Sequence, residues 1–371
     1  MCKIMKKLSI SLLAVIFLLT FTLNTAANDI TAKSYGMGGA YTGLADDATA
    51  MLYNPAGLSD SGFMGLQFEF GMGASDISKV NELIDDIEYY SEDLDINSAQ
   101  DVQDLNERFN DFPIVDVDNE IFAGGNFSSF GVGFNIDNKF STEKVNDDVI
   151  NATNITNTSG ILSISRDLNT NYKDILGMSY GVNIKTLRTD YVDVRLVNGA
   201  VNKTASVVTA KGSGVGLDAG VMVNFTPKLK LGANFKNIIA PDYDLDGEKE
   251  YYDYTNSDNN ETTDFTKTYS PQQSYRLGAS LDVPVVNATV VGDIENYTSS
   301  DKTVVHLGVE KRLLFNGLSV RGGMYSPSDE KATYTLGLGF NLAAVHFDVA
   351  LGSNDGFNDN LNGAASLNFQ F

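Results

Sequence analysis

The feature that most narrows what this chain can fold into is a strict alternation of apolar and polar residues over short segments. Tyr334, Leu336, Leu338 and Phe340 alternate with Thr335, Gly337, Gly339 and Asn341, and Val345, Phe347, Val349 and Leu351 alternate with His346, Asp348 and Ala350. Successive side chains of a strand point to opposite faces, so this pattern requires sheets with one apolar and one polar side. Followed along the chain it predicts fourteen strands, near 63–73, 119–127, 130–140, 160–168, 174–197, 203–225, 229–238, 272–283, 286–297, 303–313, 317–326, 331–341, 343–352 and 362–371. A soluble sandwich is the competing reading, but it needs a second set of apolar faces to cover the first, and none is present. A closed wall with lipid outside and a polar lumen inside satisfies every segment. The expected fold is therefore all-β, a 14-stranded antiparallel transmembrane β-barrel.

Targeting agrees with that reading. Lys3, Lys6 and Lys7 precede an apolar run from Leu8 to Leu23, and Asn24-Thr25-Ala26-Ala27 offers small residues for cleavage, so 1–27 reads as a secretory signal peptide. No other stretch approaches the roughly 20 apolar residues of a spanning helix, which leaves a barrel as the only way into a membrane. Cys2 is the single cysteine and lies within the signal, so disulfide and thiol chemistry are absent from the mature chain. Removing 1–27 takes three lysines and no acids, and the remaining 23 basic and 48 acidic residues give 23 − 48 = −25. Nucleic acid is excluded as a partner, because its binding depends on Lys and Arg neutralising phosphates. Trp is absent, so Tyr and Phe must form any interfacial girdle. The connections 74–118, 141–159, 239–271 and 353–361 are long, whereas the alternate ones, such as Thr226-Pro227-Lys228, are short. Long loops on one side are extracellular, which puts both termini in the periplasm and the protein in the bacterial outer membrane.

Between signal and barrel (63–371) lies a compact segment, 28–62, with Gly36-Met37-Gly38-Gly39-Ala40 near its start and Asn54-Pro55-Ala56-Gly57-Leu58 near its end. The glycines do not make a phosphate loop: no Gly-Lys-Ser/Thr follows, and Tyr41 stands where a dinucleotide fingerprint needs its third Gly. Asp46 or Asp47 is placed to cap a short helix from about Ala48 to Tyr53, ended by Pro55. A piece this small cannot bury itself, and the lumen is the natural place for it. These two boxes, together with a last strand carrying Leu367, Phe369 and Phe371 on one face, resemble the FadL-type long-chain fatty-acid transporter superfamily of outer-membrane barrels. The resemblance implies an N-terminal hatch in the lumen, with Gly36, Gly38, Gly39, Asn54, Pro55 and Ala56 as gate residues. It also implies passive passage of a hydrophobic small molecule. TraF-like and PorV-type barrels carry the same box, so an outer-membrane anchor or assembly role in secretion, conjugation or surface attachment is the alternative.

Two loops depart from period two. Ile77, Val80, Leu83, Ile84 and Ile87 share one helical face, Ser98 with Asp101 forms a capping box, and Val102, Leu105 and Phe109 continue a second face, predicting a helical pair within 74–118. Their apolar stripes are expected to meet each other or cap the barrel mouth, and 76–110 is a candidate surface for an envelope protein partner. In the acidic loop, Asp242, Asp244, Asp246, Glu248 and Asp253 fit a calcium-loop spacing with Gly247 at its sixth position, although Asp253 replaces the usual Glu and no helices flank it. At most weak structural calcium is expected there, and no other cofactor. His306 and His346 both fall on lumen-facing positions, and no nucleophile-elbow pattern accompanies His346 and Asp348, so no enzyme activity is expected.

Overall fold

The computed structural model describes residues 31–74, 78–80, 82–83, 109–168, 177–198, 203–253, 257–298, 300, 302–328, 330–356 and 361–371. The signal segment and most of 76–110 lie outside them. Among the described residues the strands are β1 (Met64–Ala74), β2 (Asp116–Phe127), β3 (Phe130–Asn146), β4 (Val149–Leu168), β5 (Gly177–Asn198), β6 (Lys203–Asn224), β7 (Leu229–Ile239), β8 (Tyr243–Asp253), β9 (Glu261–Tyr269), β10 (Ser274–Val283), β11 (Ala288–Tyr297), β12 (Thr303–Leu313), β13 (Leu318–Pro327), β14 (Thr333–Leu342), β15 (Val345–Ser353) and β16 (Leu361–Gln370). Each wall strand pairs antiparallel with its neighbours, β16 closes onto β1, and β10 pairs with β7. The wall is thus a closed barrel of fourteen strands, with β8 and β9 standing outside the ring.

Alternation explains the two surfaces. Tyr334, Leu336, Leu338 and Phe340 on β14 are exposed on the outside, while Thr333, Thr335 and Asp348 are buried inside. On β1, Leu66 and Phe68 face outward, while Gln67 and Glu69 turn into the lumen. An exposed apolar surface of this kind, running round a closed barrel, is the surface of an outer-membrane protein.

The wall is uneven in height. β5 and β6 have 22 residues each and β14 has 10, so one side is about 75 Å long along the strand and the other about 34 Å. Two segments expected to be loops form much of this extension. The 141–159 connection is strand except at its turn, because β3 runs on to Asn146 and β4 restarts at Val149. The 239–271 connection is a hairpin, β8–β9, whose first strand pairs with residues 204–211 of β6.

The hairpin strings the acidic residues out along a strand. A calcium loop must wrap its oxygens round one point, but 243–253 is extended, so Asp244, Asp246 and Glu248 stand about 7 Å apart in turn along one face and Asp253 falls on the other. Asp242 precedes the strand. Asp244 and Asp246 accept hydrogen bonds from Thr268 and Thr266 of β9, both at 2.9 Å. Among the described residues no group of three or more His, Cys, Asp or Glu side chains could hold a metal.

Residues 78–80, 82–83 and 109–110 are helical, and the rest of the expected helical pair lies outside the described residues. Val80, Leu83 and Phe109 do not cap the mouth. They pack with Val117, Phe140, Val194, Ala205 and Val207. These strand positions have the same parity as the exposed Phe134, Ile184 and Val215 lower on the wall, so the first loop covers the face continuous with the lipid-facing one. The opposite, lumenal face of the extension is covered by the hairpin, through Leu245, Tyr243, Phe265 and Tyr269 against Tyr191, Val208 and Ala210.

Candidate functional site in the lumen

Residues 31–62 fill the barrel. The segment is built of α1 (Ala32–Tyr35), α2 (Ala50–Tyr53) and a 3₁₀ turn, Pro55–Asp60. Asp47 accepts from the Thr49 backbone N–H at 2.9 Å, satisfying one of the donors orphaned at the start of α2. Pro55 begins the 3₁₀ turn, where its missing N–H is harmless, and the Asn54 side chain accepts from Ala56 N at 3.2 Å. Met37, Tyr41, Met51, Tyr53 and Leu58 are buried together with Phe122, Ile161, Met222 and Val291 from the wall. Tyr41 and Tyr53 meet edge to face with centroids 5.2 Å apart.

The wall grips the plug mainly by its backbone. Asp293 accepts from the N–H groups of both Tyr41 and Thr42 at 2.9 Å. His306 Nδ1 lies 2.8 Å from the carbonyl oxygen of Gly38, whose N–H donates to Thr335 at 3.0 Å. Arg276 donates to Gly39 O at 3.2 Å, Ser280 to Gly43 O at 3.0 Å, and Asn183 to Met51 O at 2.7 Å. Asn54 reaches in both directions, donating to Thr42 O within the plug at 3.0 Å and to Val221 O of β6 at 3.1 Å. At the ends, Glu69 accepts from Ala32 N at 2.9 Å and Gln370 donates to Ser61 O at 2.9 Å.

Glycines allow this approach. Gly38 and Gly39 have φ of 67° and 78°, a left-handed backbone that other residues adopt only with strain. A Cβ on Gly323 would fall 2.2 Å from Gly38 N, one on Gly308 2.3 Å from Met37 O, and one on Gly181 2.2 Å from the Pro55 carbonyl carbon. The plug backbone therefore lies directly on the wall backbone at these points.

The wall groups that hold the plug are themselves held by charge. Arg276 pairs with Glu295, while Arg321 reaches Glu310 at 2.8 Å and Asp348 at 2.5 Å. Lys185 lies 2.6 Å from Asp218. Asp348, the neighbour of His346 on β15, is thus engaged by Arg321. Within the plug, Lys33 meets Asp46 at 2.6 Å, and Tyr41 donates to Asp46 and Asp47. Burial opposes the charge on Lys33, but Asp46 and Asp47 outweigh it and raise its pKa above the usual 10.5. Burial likewise opposes the Asp46 carboxylate, which Lys33 and Tyr41 nonetheless hold below the usual 3.8.

Above the plug, on the extracellular side, lies a cavity of about 200 Å³. Tyr243, Tyr269, Tyr297, Ile155 and Leu187 supply its apolar and aromatic lining, and Asn135, Lys139, Lys185 and Asn237 are among its polar residues. Of the gate residues expected from sequence, Gly36, Gly38, Gly39, Asn54, Pro55 and Ala56 are all brought against the inner wall, at Gly337, Gly323, His306, Gly220 and Gly181. The partners Asp293, Arg276 and Thr335 were not singled out in the sequence. Their only signal was polarity at inward positions of otherwise apolar strands.

No family model matches this chain, and no curated protein does. Solved structures do. The P. putida toluene transporter TodX superposes with a TM-score of 0.62 at 12% identity, covering 93% of this chain and 99% of that one. The Ralstonia pickettii toluene transporter TbuX gives 0.60 at 13%, with 93% and 99% covered. A Pseudomonas aeruginosa FadL homologue gives 0.58 at 12%, with 94% and 99% covered. The chain thus shares the overall barrel fold of these proteins over nearly its whole length.

Proposed function

We propose that this protein is a passive outer-membrane channel for hydrophobic small molecules, with 31–62 as the hatch that controls passage. The observation that carries this reading is the plug itself. It occupies the lumen without a covalent tie to the wall strands other than β1, is held by individually replaceable hydrogen bonds, and lies beneath a cavity with three tyrosines. Toluene transporters of the same fold make a hydrophobic cargo the natural inference. Gly36, Gly38, Gly39, Asn54, Pro55 and Ala56 act as gate residues in this scheme, because they lie where the plug backbone touches the wall. The described part of 76–110 directs Val80 and Leu83 to the wall, which leaves those side chains unavailable to an envelope partner.

A photoreactive long-chain fatty acid supplied to intact cells tests the proposal. Labelling of Tyr243, Tyr269 or Tyr297, competed by unlabelled fatty acid, is expected. Labelling confined to the lipid-facing residues would count against a lumenal path.

A further inference from the structure

We propose that the periplasmic turns of the short wall are immersed in the inner leaflet of the outer membrane, and that phospholipid is the partner their exposed apolar side chains fit. The turns joining β10 to β11 and β12 to β13 carry Val285, Leu314 and Phe315 at their tips, and Leu342 ends β14 beside the third turn, which leads to β15. Val285 and Phe315 are fully exposed, and Leu314 and Leu342 are each 74% exposed. The three turns are tied side by side, since Asn316 accepts from Asn341 at 2.7 Å through its backbone and from Asn287 at 3.3 Å through its side chain. They form one patch, continuous with the lipid-facing belt above.

The height of the belt identifies the occupant. An outer-membrane barrel needs an apolar band about 25 Å tall on strands tilted about 40°. On β12 the outward apolar residues run from Val305 to Leu313, broken only by Lys311, eight residue steps and about 21 Å of height. Leu314 and Phe315 carry the apolar band past the end of the strand into the turn. On β10 the outward run from Tyr275 to Val283 likewise gives about 21 Å, and Val285 in the following turn extends it. The apolar run on these strands stops just short of the full band, and the turn residues supply the remainder. Lys311 is the one outward charge in this stretch of β12, and its ammonium reaches the Val286 carbonyl at 3.1 Å, as a lysine does when its stem lies in lipid.

Backbone geometry agrees. Leu314, Phe315 and Asn316 have φ of 49°, 56° and 69°, three consecutive left-handed residues, none of them glycine. That unfavourable conformation directs Leu314 and Phe315 away from the barrel, and transfer of both side chains into hydrocarbon offsets it.

The chain has no tryptophan, so one introduced residue is its only indole reporter. Phe315→Trp and, separately, Val285→Trp, refolded into phosphatidylethanolamine–phosphatidylglycerol vesicles, are compared with Leu336→Trp in the belt and Ser328→Trp on the extracellular side. Either turn variant is expected to lose most of its emission when the acyl chains are brominated, as Leu336→Trp does, and to resist aqueous iodide. Emission quenched by iodide and unaffected by brominated lipid, as for Ser328→Trp, would place the turns in the periplasm and overturn the proposal. Val285→Trp supplies the reading if the strained turn does not accept indole at 315.

Discussion

Replacing Gly323 with alanine tests whether the plug is seated by direct backbone contact. Its Cβ would lie 2.2 Å from Gly38 N and 2.3 Å from the Met37 carbonyl carbon, where unbonded heavy atoms settle at about 3.5 Å. The plug must therefore retreat by about 1 Å. That shift breaks Gly38 N to Thr335 (3.0 Å) and His306 to Gly38 O (2.8 Å), because a separation beyond about 3.6 Å is no longer a hydrogen bond. Each buried group left unpaired costs about 1–3 kcal/mol, and overpacking alone costs a similar amount. With partial relaxation, about 3 kcal/mol of seating is lost, which is roughly a 100-fold larger open population. Hydrogen–deuterium exchange reads this directly: amides of 36–45 should exchange faster by about that factor, while those of β15 and β16 do not change. Gly322→Ala is the control, since its Cβ meets nothing nearer than Thr335 O at 4.0 Å. Equal exchange in the two variants would refute the argument.

Three further outcomes follow from the same geometry. Asn54→Ala removes the donor shared by Thr42 O and Val221 O and should destabilise the plug by about 1–3 kcal/mol, seen as faster exchange at 50–58 with an intact barrel on heat-modified gels. Leu83→Ala should loosen the first loop by about 2–3 kcal/mol, so that protease cuts within 74–118 while the folded barrel persists; equal resistance would show that Leu83 does not anchor the loop. The Lys33–Asp46 pair should leave plug protection factors, with the intrinsic pH dependence of amide exchange divided out, flat across neutral pH. The depressed Asp46 contributes stability above about pH 3.8 that is lost as pH falls through its folded value, and the raised Lys33 contributes stability below about pH 10.5 that is lost as pH rises through its own. A step near neutrality would assign control to other groups.

The wall was legible because period two has a single physical cause, one face in lipid and one in water. The strand expected at 303–313 is β12 (Thr303–Leu313), and most other ends lie within two residues. Alternation failed where the cause changed. Above the membrane Phe140, Ala152 and Val194 continue the outward face, but the first loop covers them instead of lipid. In 147–159 Asn and Thr replace the apolar half of the pattern, so a strand read as a loop. The acidic spacing at 242–253 misled for a related reason: alternate acids at one, three and five suit a wrapped loop and equally a strand with one solvated face, and pairing with β6 chose the strand. The segment 28–62 was assigned to the lumen by exclusion, since it could not bury itself. Its grip was not legible, because Asp293, His306 and Thr335 are more than 250 residues from the groups they hold.

The most direct test of the central claim is uptake of a labelled long-chain fatty acid by cells that lack their own route for it. Cells making the protein should take up label faster than cells carrying an empty vector, and Pro55→Ala or deletion of 36–58 should change that rate while the barrel still inserts. Uptake identical in all four, with insertion confirmed, would contradict the account.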